Sequence, residues 1–560
     1  MNTEAALALH EAGALEEAAA AYGALLEDSP GDAEVTYLLA VLRWQQGRHE
    51  DALQLTEPLL TVIPEDASVL ALLGNIHYSS GHHHDAARAW EGSLALDPEQ
   101  PRLWSHLGLV QLDRGEVDTA IAHHRRAIRM APTLGEAWYN HGIALQANEE
   151  PREAEAAYQV ALGFLHDDPD VLNNLGNLLQ DRGDTDGAER CYVRALDSAP
   201  ERAELHHNLG AVRRAKGQTE DAIDALREAV RIAPGYAEAW IQLGVALGEA
   251  QELNEAAIAF RTALDLNPRE LMGWIHLGHT FQAMGRENAA LVAYQTATRH
   301  APDDAVSYLN LGIAHHNRGE LPDAIRCYRE ASRLDPSDGA ARHLLHALTG
   351  ADTAAAPDDY IAELFDQYAE QYDAHLTGEL RYRAPEQLRA ALDAVAPGRR
   401  FPSALDLGCG TGLSAAAIED IADSIVGVDL SEKMLAAARQ RGLYEGLHHA
   451  EVNAFLAAWE GAPLDLFLAA DTLVYIGDLD PLFAGIRRCA APGALAVASV
   501  ERTTGAGFLL RESGRFAHSR DYIARTAEKH GLSVAHIAAA PLRKEHGRWI
   551  EGDVFIVSAP

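Results

Sequence analysis

Small apolar residues return along the first 338 positions with a fixed period, and that period sets the architecture. Alanine stands at Ala18, Ala52, Ala86, Ala120, Ala154, Ala188, Ala222, Ala256, Ala290 and Ala324, always 34 residues apart. In the same frame glycine occupies Gly74, Gly108, Gly142, Gly176, Gly210, Gly244, Gly278 and Gly312. Proline recurs at Pro30, Pro64, Pro98, Pro132, Pro200, Pro234, Pro268, Pro302 and Pro336, with His166 alone breaking the series. Helices packed antiparallel approach closely only where side chains are short, and a proline past the second helix stops it and turns the chain into the next unit. The pattern predicts ten helix pairs over 1–338, the first degenerate, and a capping helix over 339–349 that covers the last apolar face.

Period 34 with this alanine, glycine and proline frame resembles the tetratricopeptide repeat family, which implies an all-α superhelical solenoid. Such a stack has no chemistry of its own, so its groove is where a function would lie. Eight residues after the repeat proline slot stand His106, Asn140, Asn174, Asn208, Gln242, His276 and Asn310, each able to donate and accept. The arrangement resembles the asparagine ladder of the O-linked N-acetylglucosamine transferase repeats, which implies a groove that grips an extended peptide backbone. Solvated groove residues are the plainer reading. Neutral hydrogen bonds contribute about 0.5–1.5 kcal/mol each, so binding would require several together. The histidine runs 82–84, 123–124 and 315–316 read as helix and turn residues, because adjacent helical positions point about 100° apart and do not converge on one metal ion.

After Gly350 the period gives way to small residues and Pro357, a boundary signal that makes 350–359 a linker. Ile361, Leu364, Phe365, Tyr368, Tyr372 and Leu376 then recur at helical spacing. Ala404–Leu407 reads as a strand, Gly408-Cys-Gly-Thr-Gly412 as a turn, and the following residues as a helix. A second strand ends in Asp429, nineteen residues after Gly410. Glycines there let a ligand approach the backbone, free amides at a helix start receive anionic groups, and a strand-end carboxylate accepts from ribose hydroxyls. A dinucleotide fingerprint would place a third glycine where Leu413 stands.

The strings LDLGCGTG and VGVDLS resemble motifs one and two of class I S-adenosylmethionine-dependent methyltransferases, and the resemblance extends over 360–560. It implies a Rossmann-like α/β domain with a seven-stranded sheet, the last strand antiparallel, and S-adenosyl-L-methionine as cofactor. By motif, Asp406, Gly408, Gly410 and Gly412 border its methionine part, Asp429 its ribose, and Leu430 and Met434 its adenine. Glu451 is placed near the adenine amine, with Asn453 as the alternative. The segment FDQYAEQYD resembles the lid of that family, which makes Tyr368 and Tyr372 cofactor contacts and Arg383 a weaker candidate.

Methyl transfer from a sulfonium has a neutral leaving group, so the protein chiefly aligns the nucleophile and removes its proton. Asp471, Glu501 and His518, at strand ends and before a helix, are the candidate bases. Asp471 also has a cofactor-holding reading, Glu501 a pairing with Arg502 or Arg511, and His518 a supporting role at the Ser519 cap. After the fourth strand the chain reads Ala-Ala-Asp-Thr472, not the Asn/Asp-Pro-Pro-aromatic turn of amino-methylating nucleic-acid enzymes, and Cys489 lacks the preceding proline of cytosine carbon-five methylases.

Charge narrows the partners further. Lys plus Arg number 46 against 83 Asp plus Glu, a net −37. Residues 401–560 hold 14 cations and 20 anions, so −31 falls on residues 1–400. That surface repels phosphate backbones and anionic lipid, which argues against nucleic acid and membrane. Four scattered cysteines, an acidic start and no long apolar run point to the cytoplasm. Two functions survive: a methyltransferase whose repeats recruit a protein or peptide acceptor, and a binding scaffold whose methyltransferase-like domain is inactive or acts on a small molecule. Acceptor and oligomeric state are not written in the sequence.

Overall fold

The computed structural model describes residues 2–351, 353–369, 372–378, 380–545 and 548–560, without the side chains of 367, 368, 374, 375, 377 and 545. The chain divides into two compact units, Met1–Pro268 and Arg269–Pro560.

The first unit is entirely helical among its described residues, from Thr3–Glu11 to Leu253–Leu266. Its helices alternate thirteen and fourteen residues in most pairs, such as Ala203–Ala215 with Thr219–Ile232. The periodic glycine explains the pairing. A Cβ added at Gly142, Gly176 or Gly244 would come within 2.6 Å of Tyr158, Tyr192 or Phe260, the large ring sixteen residues further on the partner helix. The ring is buried because the glycine leaves it room, and the periodic alanines are buried beside it. Where His166 breaks the proline series, its backbone takes φ 37° and Pro169 opens the next helix instead.

The second unit holds two further helix pairs, from Leu271–Ala283 to Leu321–Leu334, the capping helix Gly339–Thr349, and an α/β sheet. Gly278 and Gly312 repeat the close approach, to Tyr294 and Tyr328. The sheet contains β1 (Ala404–Leu407), β2 (Ile425–Asp429), β3 (Gly446–His449), β4 (Leu464–Ala469), β5 (Ala490–Arg502), β6 (Phe508–Leu510), β7 (Phe516–His518), β8 (Ser533–Glu545) and β9 (Arg548–Ser558). Strands β3, β2, β1, β4 and β5 run parallel in that order, and β9 joins β5 antiparallel with β8 outside it. These seven are the expected strands. The short hairpin β6–β7 is an addition, paired to the last two residues of β5 and turned at Gly514, where φ is 76°. Consecutive residues of β4 alternate between two cores, Phe467 and Ala469 in one, Leu466 and Leu468 in the other, so helices cover both faces.

Residues 350–359, expected as a linker, are tied to the sheet. Ala356 N–H donates to Tyr475 O at 2.9 Å, and Gly477 N–H to Ala354 O at 2.8 Å. The helix expected from 360 begins at Asp358, after Pro357. The capping helix packs Ala347 against Leu510 and Phe516, and buried His343 Nε2–H donates to Gly514 O at 2.7 Å. Compactness therefore groups the last repeats with the sheet.

Candidate functional site

The parallel strands converge their carboxyl ends on one opening, where the β1 turn and the segment after β4 stand opposite each other. At Gly408 φ is 71°, and a Cβ would lie 2.5 Å from Thr472 Oγ1, which itself donates to Leu407 O at 2.7 Å. Gly410 and Gly412 also take left-handed backbone, φ 53° and 92°. Only glycine meets these demands without strain.

Asp429, at the end of β2, is 9% exposed. One carboxylate oxygen accepts from Gly410 N–H at 2.8 Å, the other from Ser431 N–H at 2.9 Å. Burial raises its pKa and those amide bonds pull it back. Asp406, in β1, is fully buried. One of its oxygens accepts from Tyr444 Oη–H at 2.8 Å, and the other has no hydrogen-bond partner among the described residues. Burial pushes its pKa up to about 7, against the lowering effect of the Tyr444 bond.

A cleft lies over the turn, lined by Gly408, Gly410, Asp429, Leu430, Met434, Glu451 and Asp471 together with Phe365 and Tyr372 of the segment before β1. Phe365 meets Tyr372 and Tyr475 edge to face, with ring centres 5.9 and 5.6 Å apart. Glu451 caps the helix Val452–Ala458 by accepting from Ala454 N–H at 2.6 Å, while Asn453 donates to it at 3.1 Å. The Tyr368 side chain lies outside the described residues.

Of the candidate bases only Asp471 lines that cavity. Its backbone is held in the left-handed region, φ 59°, and its amide donates to Ser499 Oγ at 2.9 Å. Arg543 of β8, 1% exposed, donates to both oxygens of Asp471 at 2.7 and 2.9 Å and to Glu501 Oε1 at 2.5 Å. Glu501 is 2% exposed, and its other oxygen faces Arg511 at 3.4 Å. It thus supports Asp471 through one shared guanidinium. His518 is fully buried, donates from Nε2 to Gly477 O at 3.0 Å, and is held neutral by burial, its pKa lowered to about 4. Arg543 and Tyr444 carried no signal in the sequence, since neither sits in a motif.

In the repeats, the ladder residues are half-buried, with Asn140 fully so. Asn140 donates to Ser105 at 3.0 Å, Asn174 to Tyr139 at 3.0 Å, and Asn208 to Asn173 at 2.9 Å, each partner 35 residues back. Asn310 accepts from His279 at 3.0 Å and His106 packs on Trp90 at 5.4 Å. These amides tie one repeat to the preceding one. Gln242 Oε1 is buried with no hydrogen-bond partner among the described residues, and His276 is half-buried.

Comparison with known proteins finds both kinds of unit in the chain. Residues 405–498 match the family described as methyltransferase domain, 9–76 and 72–134 match tetratricopeptide repeat families, and 159–376 match the C-terminal domain of cilia and flagella-associated protein 70. A ubiquinone biosynthesis O-methyltransferase of Bordetella avium is 28% identical over 182 residues, 30% of this chain and 71% of that protein. A malonyl-[acyl-carrier protein] O-methyltransferase of Enterobacter lignolyticus is 30% identical over 24% of this chain and 50% of its own length. A dTDP-3-amino-3,6-dideoxy-alpha-D-glucopyranose N,N-dimethyltransferase of Streptomyces fradiae is 35% identical over 18% and 39%. The chain thus spans between about two fifths and seven tenths of these relatives. MamA of Desulfovibrio magneticus, a solved structure, is 23% identical over 30% of this chain and 94% of its own, with a TM-score of 0.29. No described helix is long and apolar enough to cross a membrane. The chain combines tetratricopeptide repeats with a methyltransferase domain.

Proposed function

We propose that the C-terminal domain transfers a methyl group from S-adenosyl-L-methionine, and that the repeats recruit the protein or peptide that is, or delivers, the acceptor. The observation that carries the first half is the fit of the cavity's residues to that cofactor. Asp429 is buried and fixed by two amides where ribose hydroxyls would donate, and Leu430 and Met434 offer an apolar slot for a base; Asp406, in β1 just before the glycine turn and outside the cavity lining, keeps one buried oxygen with no partner among the described residues. When bound, the cofactor supplies a methyl group on a positively charged sulfur.

The chain's own residues do the rest. The glycine turn lets the ligand reach the backbone. Phe365, Tyr372 and Tyr475 exclude water from the reacting side. Asp471, held by Arg543, is the carboxylate that orients an acceptor O–H or N–H and takes its proton. Glu501 and His518 stand behind it, the first through Arg543 and the second against Gly477.

A second reading, in which the acceptor is a small molecule independent of the groove, is favoured by the names of the matched relatives and by the engagement of the ladder amides between repeats. One relative's name joins the two readings, since its acceptor is a small acyl group on a carrier protein. Incubating the chain with methyl-tritiated S-adenosylmethionine and cell lysate tests the choice. Label in the protein fraction, reduced when Asn140, Asn174, Asn208 and Asn310 are replaced together by Ala, is expected. Label confined to small molecules would overturn recruitment, and no transfer at all would leave a scaffold.

A further inference from the structure

Asp429 does not hold its place alone. Its two amide donors are Gly410 and Ser431, one in the turn after β1 and one after β2. The segment before the sheet reaches both turns with a carboxylate of its own. From the helix Asp358–Tyr368, Asp366 accepts from Ser431 Oγ–H at 2.5 Å and from Lys433 N–H at 3.4 Å. From the helix Tyr372–Thr377, Asp373 accepts from Thr411 Oγ1–H at 2.5 Å with one oxygen and pairs with Arg441 through the other.

Each contact is chemically complete. Ser431 caps the helix Glu432–Arg441, its hydroxyl accepting from Met434 N–H at 3.1 Å while its single proton goes to Asp366. Asp366 thereby lies at a helix N-terminus, where a negative charge is favoured. Arg441 closes a three-membered set, since its Nε–H also donates to Thr411 O at 2.6 Å. Phe365 and Tyr372, each the residue just before one of these aspartates, line the cavity.

We propose that Asp366 and Asp373 form a two-point latch whose release sets the rate at which cofactor leaves the site. The latch fastens the two turns that carry the donors of Asp429. A ligand held by Asp429 therefore leaves only when the helices above it detach, and detachment breaks two carboxylate contacts together. The inference rests on the cofactor assignment made above. It goes further in making the two aspartates positioning residues and in placing slow exchange, rather than weak binding, under their control.

Dissociation of S-adenosylhomocysteine from the full chain, measured by stopped-flow displacement with excess S-adenosylmethionine, tests this. Asp366→Ala and Asp373→Ala should each speed dissociation severalfold, and the double variant at least tenfold. Association should rise as well, so that equilibrium affinity falls by less than the dissociation rate increases. A substitution that merely damaged the site would lower association instead. Thr411→Val removes one donated bond at nearly constant volume but keeps the Arg441 pair, and Asp373→Asn still accepts from Thr411 but loses that ion pair, so each should speed dissociation by less than Asp373→Ala does. Circular dichroism checks the fold of each variant. Dissociation within twofold of the parent in the double variant overturns the latch while leaving the cofactor assignment intact. A parent chain that does not bind S-adenosylhomocysteine overturns both.

Discussion

Arg543 carries the heaviest electrostatic duty in the domain, and replacing it by Met gives a sharp prediction. The guanidinium is 1% exposed and neutralises Asp471 on one side and Glu501, 2% exposed, on the other. Removing one member of a buried ion cluster costs about 3–5 kcal/mol, because the remaining charges keep the desolvation penalty without the attraction. Here two carboxylates are stranded, although Arg511 at 3.4 Å keeps partial hold of Glu501. The expected loss is therefore about 4 kcal/mol at pH 7, a large share of the roughly 5–15 kcal/mol that holds a domain folded. Scanning calorimetry of the full chain measures it, the relevant transition being the one that S-adenosylhomocysteine raises. Arg543→Met with Asp471→Asn and Glu501→Gln should recover most of the loss. A single variant as stable as the parent would refute the reasoning.

Two further outcomes follow from the repeats. Gly176→Ala places a Cβ 2.6 Å from the Tyr192 ring and should cost about 1–3 kcal/mol by overpacking, read as a lower melting temperature of the repeat transition, whereas Gly→Ala at Gly163, which has nothing within 4 Å, should be neutral or mildly stabilising. His124 is fully buried and His141 nearly so; burial first, then neighbouring histidines for His124 and Arg125 for His141, lower their pKa values to about 3 and about 4. The folded state refuses protons that the unfolded chain takes up below about 6.5, so their stabilisation is complete above that pH and is lost as pH falls toward 4. Each unit of that fall removes about 1.4 kcal/mol per histidine. Denaturant titrations at pH 7 and 5 should show the loss, and His124→Tyr, the residue at Tyr158 and Tyr192, should flatten it; an unchanged slope would sink the assignment.

The repeats were legible because their packing is written in residue size: Gly176 and Tyr192 are spaced by geometry, and the spacing survives in the sequence. The cofactor turn was legible for a similar reason, since Gly408, Gly410 and Gly412 meet backbone demands that only glycine meets cheaply. What stayed hidden depends on partners far along the chain. Arg543 reaches Asp471 across 72 residues, and His343 reaches Gly514 across 171. Hairpin β6–β7 was hidden because three-residue strands beside glycines leave no period to read. The ladder position was visible, but its bonds to the residue 35 back were not, as nothing in composition says whether an amide faces solvent or its neighbour. Asp366 and Asp373 stand in a segment whose helical period is carried by its aromatics, and their partners Ser431 and Thr411 lie 65 and 38 residues away.

The central claim is that Asp429 and the glycine turn hold S-adenosylmethionine. Isothermal titration of S-adenosylmethionine into the parent chain and into Asp429→Ala, with NADH as a control ligand, tests it most directly. Loss of charge-assisted bonds to ribose is worth roughly 1.5–3 kcal/mol, at least tenfold in affinity. The account predicts saturable binding to the parent, weakened at least tenfold in the variant, and no binding of NADH. Equal affinity in both chains, or tight NADH binding in place of S-adenosylmethionine, would contradict it.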